Sequence, residues 1–425
     1  MRSACGMDFG TSNSTVGAVQ GGVVRLACLE DDKSTLPSVI FFNADLDEMS
    51  VGRAALNDYL DGYEGRLMRS MKSLLGTSLF DGHTEVLGRR LPYKDLLRHY
   101  LMQLKLRAQN NLQQEFEYAV LGRPVHFVDD NTNADRQAEE SLRTTALACG
   151  FKEVSFQFEP IAAALDYESR LTNEEVVLVV DIGGGTSDFS VVRLSPERRL
   201  AVEREQDVLS NTGVHIGGTD FDKALSLACL MPLLGYGGKL ANGGDMPNTN
   251  YFSLSTWHTI NQAYSQKVIR ELQDLQHDID STDLKLACQR LLRLIERRDG
   301  HWLAIQAETA KINLSSELQT VLALDRLSLA HEPGGALQKT IHESELAHAL
   351  KALVAQIANS VETCLQGAQL RPDQIDSIYF TGGASGVQGL RQKLATLLPD
   401  AKQVQGDTFG SIGTGLGWEA LRRYS

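Results

Sequence analysis

Apolar residues recur at helical spacing across residues 93–114, where Leu96, Leu97, Leu101, Leu104 and Leu112 line one face. Residues 118–121 then read as a strand and residues 134–149 as a second helix. Gly150 stands where a left-handed residue would end that helix. Residues 154–158 form the next predicted strand. Glu159-Pro160 opens a helix through Tyr167, with proline in a first turn where its missing N–H is not needed. Strand and helix alternate here as they do in an α/β lobe. Residues 176–180 are an apolar strand, and residues 16–19 and 189–194 are strand-like as well.

The pattern changes further on. Residues 234–250, rich in glycine and asparagine, read as a loop. Residues 256–298 and 302–313 look helical, residues 321–329 alternate like a strand, and residues 344–366 are helical again. A short strand at residues 377–381 runs into Gly382-Gly383, a helix follows at 388–398, and residues 411–423 can form a closing helix.

One segment occurs twice. Met7-Asp8-Phe9-Gly10-Thr11-Ser12-Asn13 is echoed by Val180-Asp181-Ile182-Gly183-Gly184-Gly185-Thr186, each an apolar–Asp–apolar–Gly run leading through small residues into a strand. The repeat predicts two similar lobes.

Composition narrows the choice of function. The 425 residues include 37 glycines and carry a formal net charge of -13 with no basic stripe to offset it, which argues against nucleic-acid binding. Arg290, Arg293, Arg297 and Arg298 fit one solvated helix face. No apolar run approaches the roughly 18 residues of a membrane helix, and the segment before Asp8 is too short for a signal peptide. The six cysteines are scattered without metal-ligand spacing, so reduced thiols and a cytoplasmic location are expected.

The glycine hairpin at residues 183–186 lies between two strands. Walker A and dinucleotide loops open onto a helix, so neither applies. A glycine hairpin still lets backbone N–H groups approach an anion closely, and Thr186 adds a hydroxyl. Asp181 and Asp188 flank it and could order the waters of Mg²⁺. Read alone, this is as compatible with a plain turn. Gly10, Thr11, Ser12 and Asn13 offer a second small-residue turn beside Asp8, and two such turns face to face could grip a nucleotide's phosphates. Gly217-Gly218 and Gly382-Gly383-Ala384 suit a sugar or base seat, or simply a loop.

Taken in order, these segments resemble the actin-like ATPase superfamily. Within it they resemble the nucleotide-binding domain of the DnaK-type, seventy-kilodalton heat-shock chaperones. The two aspartate–glycine turns look like that family's phosphate turns. Met71-Lys72-Ser73-Leu74-Leu75-Gly76 resembles the segment with its active-site lysine. Phe158-Glu159-Pro160-Ile161-Ala162-Ala163-Ala164, Arg136-Gln137-Ala138 and His215-Ile216-Gly217-Gly218-Thr219-Asp220-Phe221-Asp222 match further motifs. So do Glu308-Thr309-Ala310-Lys311-Ile312-Asn313-Leu314-Ser315 and Thr381-Gly382-Gly383-Ala384-Ser385.

The resemblance implies a two-lobed α/β fold, duplicated and ribonuclease-H-like, with lobes at 1–172 and 173–404. Smaller subdomains are expected at about 38–98 and 217–343, and a closing segment at 405–425. It implies ATP or ADP with Mg²⁺ as ligands. Lys72, Glu159, Asp181 and Thr186 would be catalytic, and Asp8 and Asp181 would hold magnesium through water. Residues 10–13, 183–185, Gly217, Gly218, Glu308, Lys311, Ser315 and 382–384 would contact the nucleotide. Pro124 and Arg136 match positions that relay nucleotide state. The implied activity is a slow ATPase switch of the chaperone type, with a protein partner or co-chaperone. A small-molecule kinase or a filament-forming protein of the same superfamily is the alternative.

Three departures stand out. The family's two adenine-flanking arginines are Ile312 and Gly386 here. The stretch from Gly218 to Glu308 is longer than usual, which implies an insertion. The sequence stops at Ser425, soon after the closing helix, so the family's linker and peptide-binding domain are expected to be absent, a pattern similar to short YegD-like bacterial members.

Overall fold

The computed structural model describes residues 3–86, 88–128, 131–198, 201, 204–329, 337–408 and 410–424; Met1 and Ser425 lie outside them. The chain divides into two compact units. One is Met1–His215 with Ala358–Ser385 and Leu394–Ser425, and the other is Ile216–Ile357 with Gly386–Lys393.

Two sheets of the first unit are built on one plan. In the first sheet five strands, β1 (Ala4–Phe9), β2 (Asn13–Gln20), β3 (Val23–Leu26), β4 (Tyr118–Arg123) and β5 (Glu153–Phe158), run in the order β5-β4-β1-β2-β3, and the two-residue strand Leu36–Pro37 pairs with β2 off this path. The second sheet has β6 (Glu175–Ile182), β7 (Ser187–Leu194), β8 (Val208–Val214), β9 (Ser377–Thr381) and β10 (Lys402–Gln405), in the order β8-β7-β6-β9-β10. Each sheet runs as three antiparallel strands followed by two parallel ones. The duplicated motif thus marks a duplicated topology.

Helices Tyr93–Leu112 and Thr132–Ala148 form where leucine spacing predicts them, and Gly150 takes the left-handed φ of 82° that ends the second. They share a core with β1 through Cys5, Met7, Phe9, Leu97, Leu101 and Leu142. A separate core joins residues of both sheets, among them Val120, Val177 and Tyr379, through Ile161 and Ala162 of helix Glu159–Glu168 and Leu416 and Ala420 of the closing helix Ser411–Tyr424. Glycine is a poor helix former, at roughly 1 kcal/mol per residue. The closing helix nevertheless needs it, because a Cβ on Gly415 would collide with the backbone of Ala162.

In the second unit the expected helical stretch at 256–298 is broken. It becomes a 3-10 segment, Trp257–Tyr264, then helices Gln266–Leu275 and Thr282–Glu296. Ser265 and Ser281 interrupt it by capping new helix starts, their hydroxyls accepting from Val268 N–H and Leu284 N–H at 3.3 Å. The arginine face is also corrected. The helix ends before Arg298, which turns left-handed at φ 57°, while Arg290 and Arg293 donate to the carbonyls of Leu233 and Arg326. The strand expected at 321–329 is Gln319–Ala323 only, because a turn at Asp325–Leu327 then buries Leu324 and Leu327. Within the long segment, Tyr251 is buried and donates to Leu234 O at 3.1 Å, and Trp257 packs edge-on against His301. Phe252, by contrast, is 41% exposed.

Candidate functional site

The repeated segments close as hairpins of the same length. Phe9 pairs with Ser14 and Ile182 with Ser187, leaving four-residue turns at 10–13 and 183–186. One step below each turn lies an aspartate: Asp8 opposite Thr15, and Asp181 opposite Asp188. The turns face each other, because a Cβ on Gly184 would collide with the Ser12 hydroxyl and one on Gly185 would lie 3.8 Å from Thr11 Cγ2. The second turn closes with Gly183 N–H donating to Thr186 O at 2.9 Å, and the Thr186 hydroxyl donates to Asp188 Oδ2 at 3.1 Å. The first is held by Ser38, whose hydroxyl donates to Gly10 O at 2.7 Å and whose N–H donates to Ser12 O at 2.8 Å.

Acidic groups crowd beneath the turns. Lys72 Nζ donates to Glu159 Oε1 at 2.5 Å, with both side chains about one-tenth exposed. Burial pushes the Asp8 carboxyl up to about 7; the Glu159 charge adds to this and Lys72 opposes it. Asp181 is raised well above the usual carboxylate range, first by burial and then by Glu159, Asp188 and Asp8. Burial disfavours the charged form of Lys72, but Glu159, Asp8 and Asp188 outweigh it and raise its pKa. One ammonium therefore answers four carboxylates. Burial and mutual repulsion hold Asp8 and Asp181 back from ionising, and a divalent cation beside them would favour their charged forms. Among the described residues no three His, Cys, Asp or Glu side chains converge as a direct metal cage, and the donor set suits Mg²⁺ held largely through its own waters.

Gly382 sits beside this cluster with φ 79°, where a Cβ would collide with the Asp181 carboxylate. Ala384 N–H donates to Ile182 O at 3.1 Å, which ties the 382–384 turn to β6, and Gly383 is exposed. The first unit thus brings together Asp8, residues 10–13, Lys72, Glu159, Asp181, residues 183–186 and residues 382–384. The second unit carries the remaining expected residues. Lys311 is buried, pairs with Asp222 at 2.8 Å and donates to Gly218 O at 3.1 Å. Gly217 caps the helix Gly218–Leu225, and Glu308 and Lys311 share the helix Gly300–Leu314. Ser315 caps that helix's last turn, its hydroxyl donating to Ile312 O at 2.6 Å. Ile312 is 56% exposed, and Gly386 lies against Ser315. Arg136 is exposed and Pro124 half-buried.

The sequence reading missed Ser38 and its neighbour Tyr100. It also missed a polar cleft of about 500 Å³ beside Asn13, lined among others by Lys33, Thr35, Arg53 and Asp407. Ser38 and most of the cleft residues lie in short segments without periodicity, and Tyr100, on the helix Tyr93–Leu112, reads in the sequence only as part of its buried face.

The family model described as Hsp70 protein matches residues 4–230 and 266–414, most of the chain. This chain belongs to the Hsp70 family. Its fold is accordingly the two-lobed actin-like ATPase fold, and the family implies an ATP or ADP ligand. Relatives of this Hsp70 chain include the chaperone protein DnaK of Thermus thermophilus, 28% identical over 423 residues, covering 94% of this chain and 57% of that protein. The DnaK of Thermosipho melanesiensis is 27% identical over 385 residues, with 90% and 53% covered. The dnaK protein of Cyanophora paradoxa is 26% identical over 420 residues, with 94% and 57% covered. The chain thus spans about half the length of the curated relatives it matches. The family match leaves out residues 231–265, in the long segment of the second unit. Among the described residues no helix is long and apolar enough to cross a membrane.

Proposed function

We propose that this Hsp70-family chain is a slow ATPase that acts as a nucleotide-dependent switch. The observation that carries the reading is the pair of facing four-residue turns above a buried cluster of four carboxylates and one lysine. Backbone N–H groups of residues 10–13 and 183–186 hold the β- and γ-phosphates. Asp8 and Asp181 order the waters of magnesium, and when bound the ion neutralises charge on the phosphate oxygens. Lys72 places its ammonium near the γ-phosphate and is itself aimed by Glu159. Glu159, Asp181 and Thr186 orient the attacking water. Positioning and charge neutralisation do most of the work in this class of reaction. Residues 382–384 support the nucleoside from the first unit. By the family resemblance, Gly217, Gly218, Glu308, Lys311 and Ser315 would also contact the nucleotide.

In this reading the lobes are 1–172 and 173–404, and nucleotide state is passed to a separate protein, a client or co-chaperone, in the cytoplasm. Calorimetric titration with ATP and Mg²⁺, followed by phosphate release over hours, tests it. Binding with slow release supports the reading, and no binding at millimolar ATP overturns it. Acceleration by a sugar acceptor would point to a kinase, and nucleotide-dependent pelleting to a filament.

A further inference from the structure

We propose that Ser38, backed by Tyr100, is a positioning residue that sets which backbone N–H groups the first turn offers to phosphate. The inference rests on the reading that residues 10–13 bind the phosphates. Ser38 is 1% exposed and touches the turn at two points and the strand after it at a third. Its hydroxyl donates to Gly10 O at 2.7 Å, its N–H donates to Ser12 O at 2.8 Å, and its Oγ lies 3.0 Å from Ser14 Oγ. Because the Ser38 proton goes to Gly10, Ser14 is the donor of that last bond.

The consequence follows from peptide geometry. In a planar trans peptide the C=O and the next N–H point in opposite directions. Fixing Gly10 C=O on Ser38 turns Thr11 N–H away from Ser38. Fixing Ser12 C=O on Ser38 turns Asn13 N–H away as well. Two alternate amides of the turn are thereby committed to the face opposite Ser38, without any partner of their own being needed to aim them. Main-chain amides oriented in this way are what an anion-binding nest requires.

Tyr100 fixes Ser38 in turn. Its hydroxyl, on a fully buried side chain, lies 3.1 Å from both Leu36 O and Pro37 O and 3.4 Å from Ser38 Oγ. It therefore pins the two residues that lead into Ser38. Pro37 pairs with Asn13 and Leu36 with Ser14, so the segment that Tyr100 pins is also the strand that lies beside the turn.

The test compares ligands with and without phosphates on the intact chain. Ser38→Ala is expected to weaken Mg–ATP binding about tenfold, the scale of one charge-assisted hydrogen bond, while adenosine affinity stays within about twofold. Tyr100→Phe is expected to give the same phosphate-selective loss at about two- to fourfold, and it decides the matter if Ser38→Ala does not fold. Equal losses for adenosine and ATP would show general loosening and overturn the inference, as would unchanged ATP binding in both variants. If the wild-type chain binds no ATP, the phosphate reading itself fails and takes this inference with it. Binding by the wild type with indifferent variants sinks the inference alone.

Discussion

The turn at residues 10–13 is held from outside, by Ser38 and Tyr100 on a neighbouring segment. The turn at residues 183–186 holds itself, through its own backbone bond and the Thr186–Asp188 contact. The residues opposite the two aspartates differ as well: a neutral Thr15 faces Asp8, and a carboxylate, Asp188, faces Asp181. Two copies of one hairpin have thus taken unlike means of stiffening and unlike charge. A duplicated backbone can be reused for a second phosphate contact while its side chains are adapted separately.

The largest expected effect removes the one group that answers both halves. Lys72→Ala and Glu159→Ala should each lower turnover by about 2.7–4 kcal/mol, roughly 10²- to 10³-fold, with ATP affinity changed far less. Single-turnover phosphate release beside equilibrium titration measures both. Full turnover in both variants would remove these residues from the mechanism.

Next is the charge difference. A carboxyl whose folded pKa is raised keeps its full stability below the unfolded value, and stability falls as pH rises through the folded pKa. For Asp8 that window runs from 3.8 to about 7. Asp8→Asn should therefore stabilise the nucleotide-free protein at pH 8 by on the order of 1–3 kcal/mol and converge with wild type below about pH 4. Asp181→Asn should gain more, because burial first, and then the charges of Glu159, its cross-strand neighbour Asp188 and Asp8, all disfavour its carboxylate. Urea unfolding across pH reads both, and an equal or smaller gain at Asp181 would erase the contrast between the turns.

A packing test sharpens the comparison further. Gly184→Ala should destabilise by about 1–3 kcal/mol through overlap with the Ser12 hydroxyl, and Ser12→Gly in the same chain should recover most of that loss. Gly185→Ala, with 3.8 Å to Thr11 Cγ2, should be nearly neutral. Thermal melts of the three variants would show whether the turns meet where the geometry puts them.

The smallest effect concerns the base, which neither turn reads. With Ile312 and Gly386 where a cation would stack, a contact of about 0.5–2 kcal/mol is missing, so ATP and GTP should bind within about tenfold of each other. A strong preference for ATP in parallel titrations would show that other contacts select adenine.

Both aspartate–glycine turns were legible because the motif and the strands around it are local, and their equal length is written in the spacing. Lys72 and Glu159 became meaningful only together, since nothing in either neighbourhood shows the contact between positions so far apart in the chain. Ser38 was invisible because its role depends on a two-residue strand, Leu36–Pro37, paired at a distance with Asn13 and Ser14. The break in the 256–298 stretch went unread although Ser265 and Ser281 were its signal, because helical spacing on either side was stronger. The arginines from 290 to 298 misled for the same reason: periodicity does not show where a helix stops.

The glycine-bearing closing helix also sets an order of assembly. A Cβ on Gly6 or Gly17, in β1 and β2, would collide with the backbone of the closing helix, and one on Gly415 would collide with the backbone of Ala162. Those surfaces stay open until residues 411–424 have been made. A nascent chain halted short of that point holds only one of the two helices that join its sheets, Glu159–Glu168, and contacts of such wide sequence separation close late and slowly. Completion of this unit is therefore timed by translation of residues 411–424.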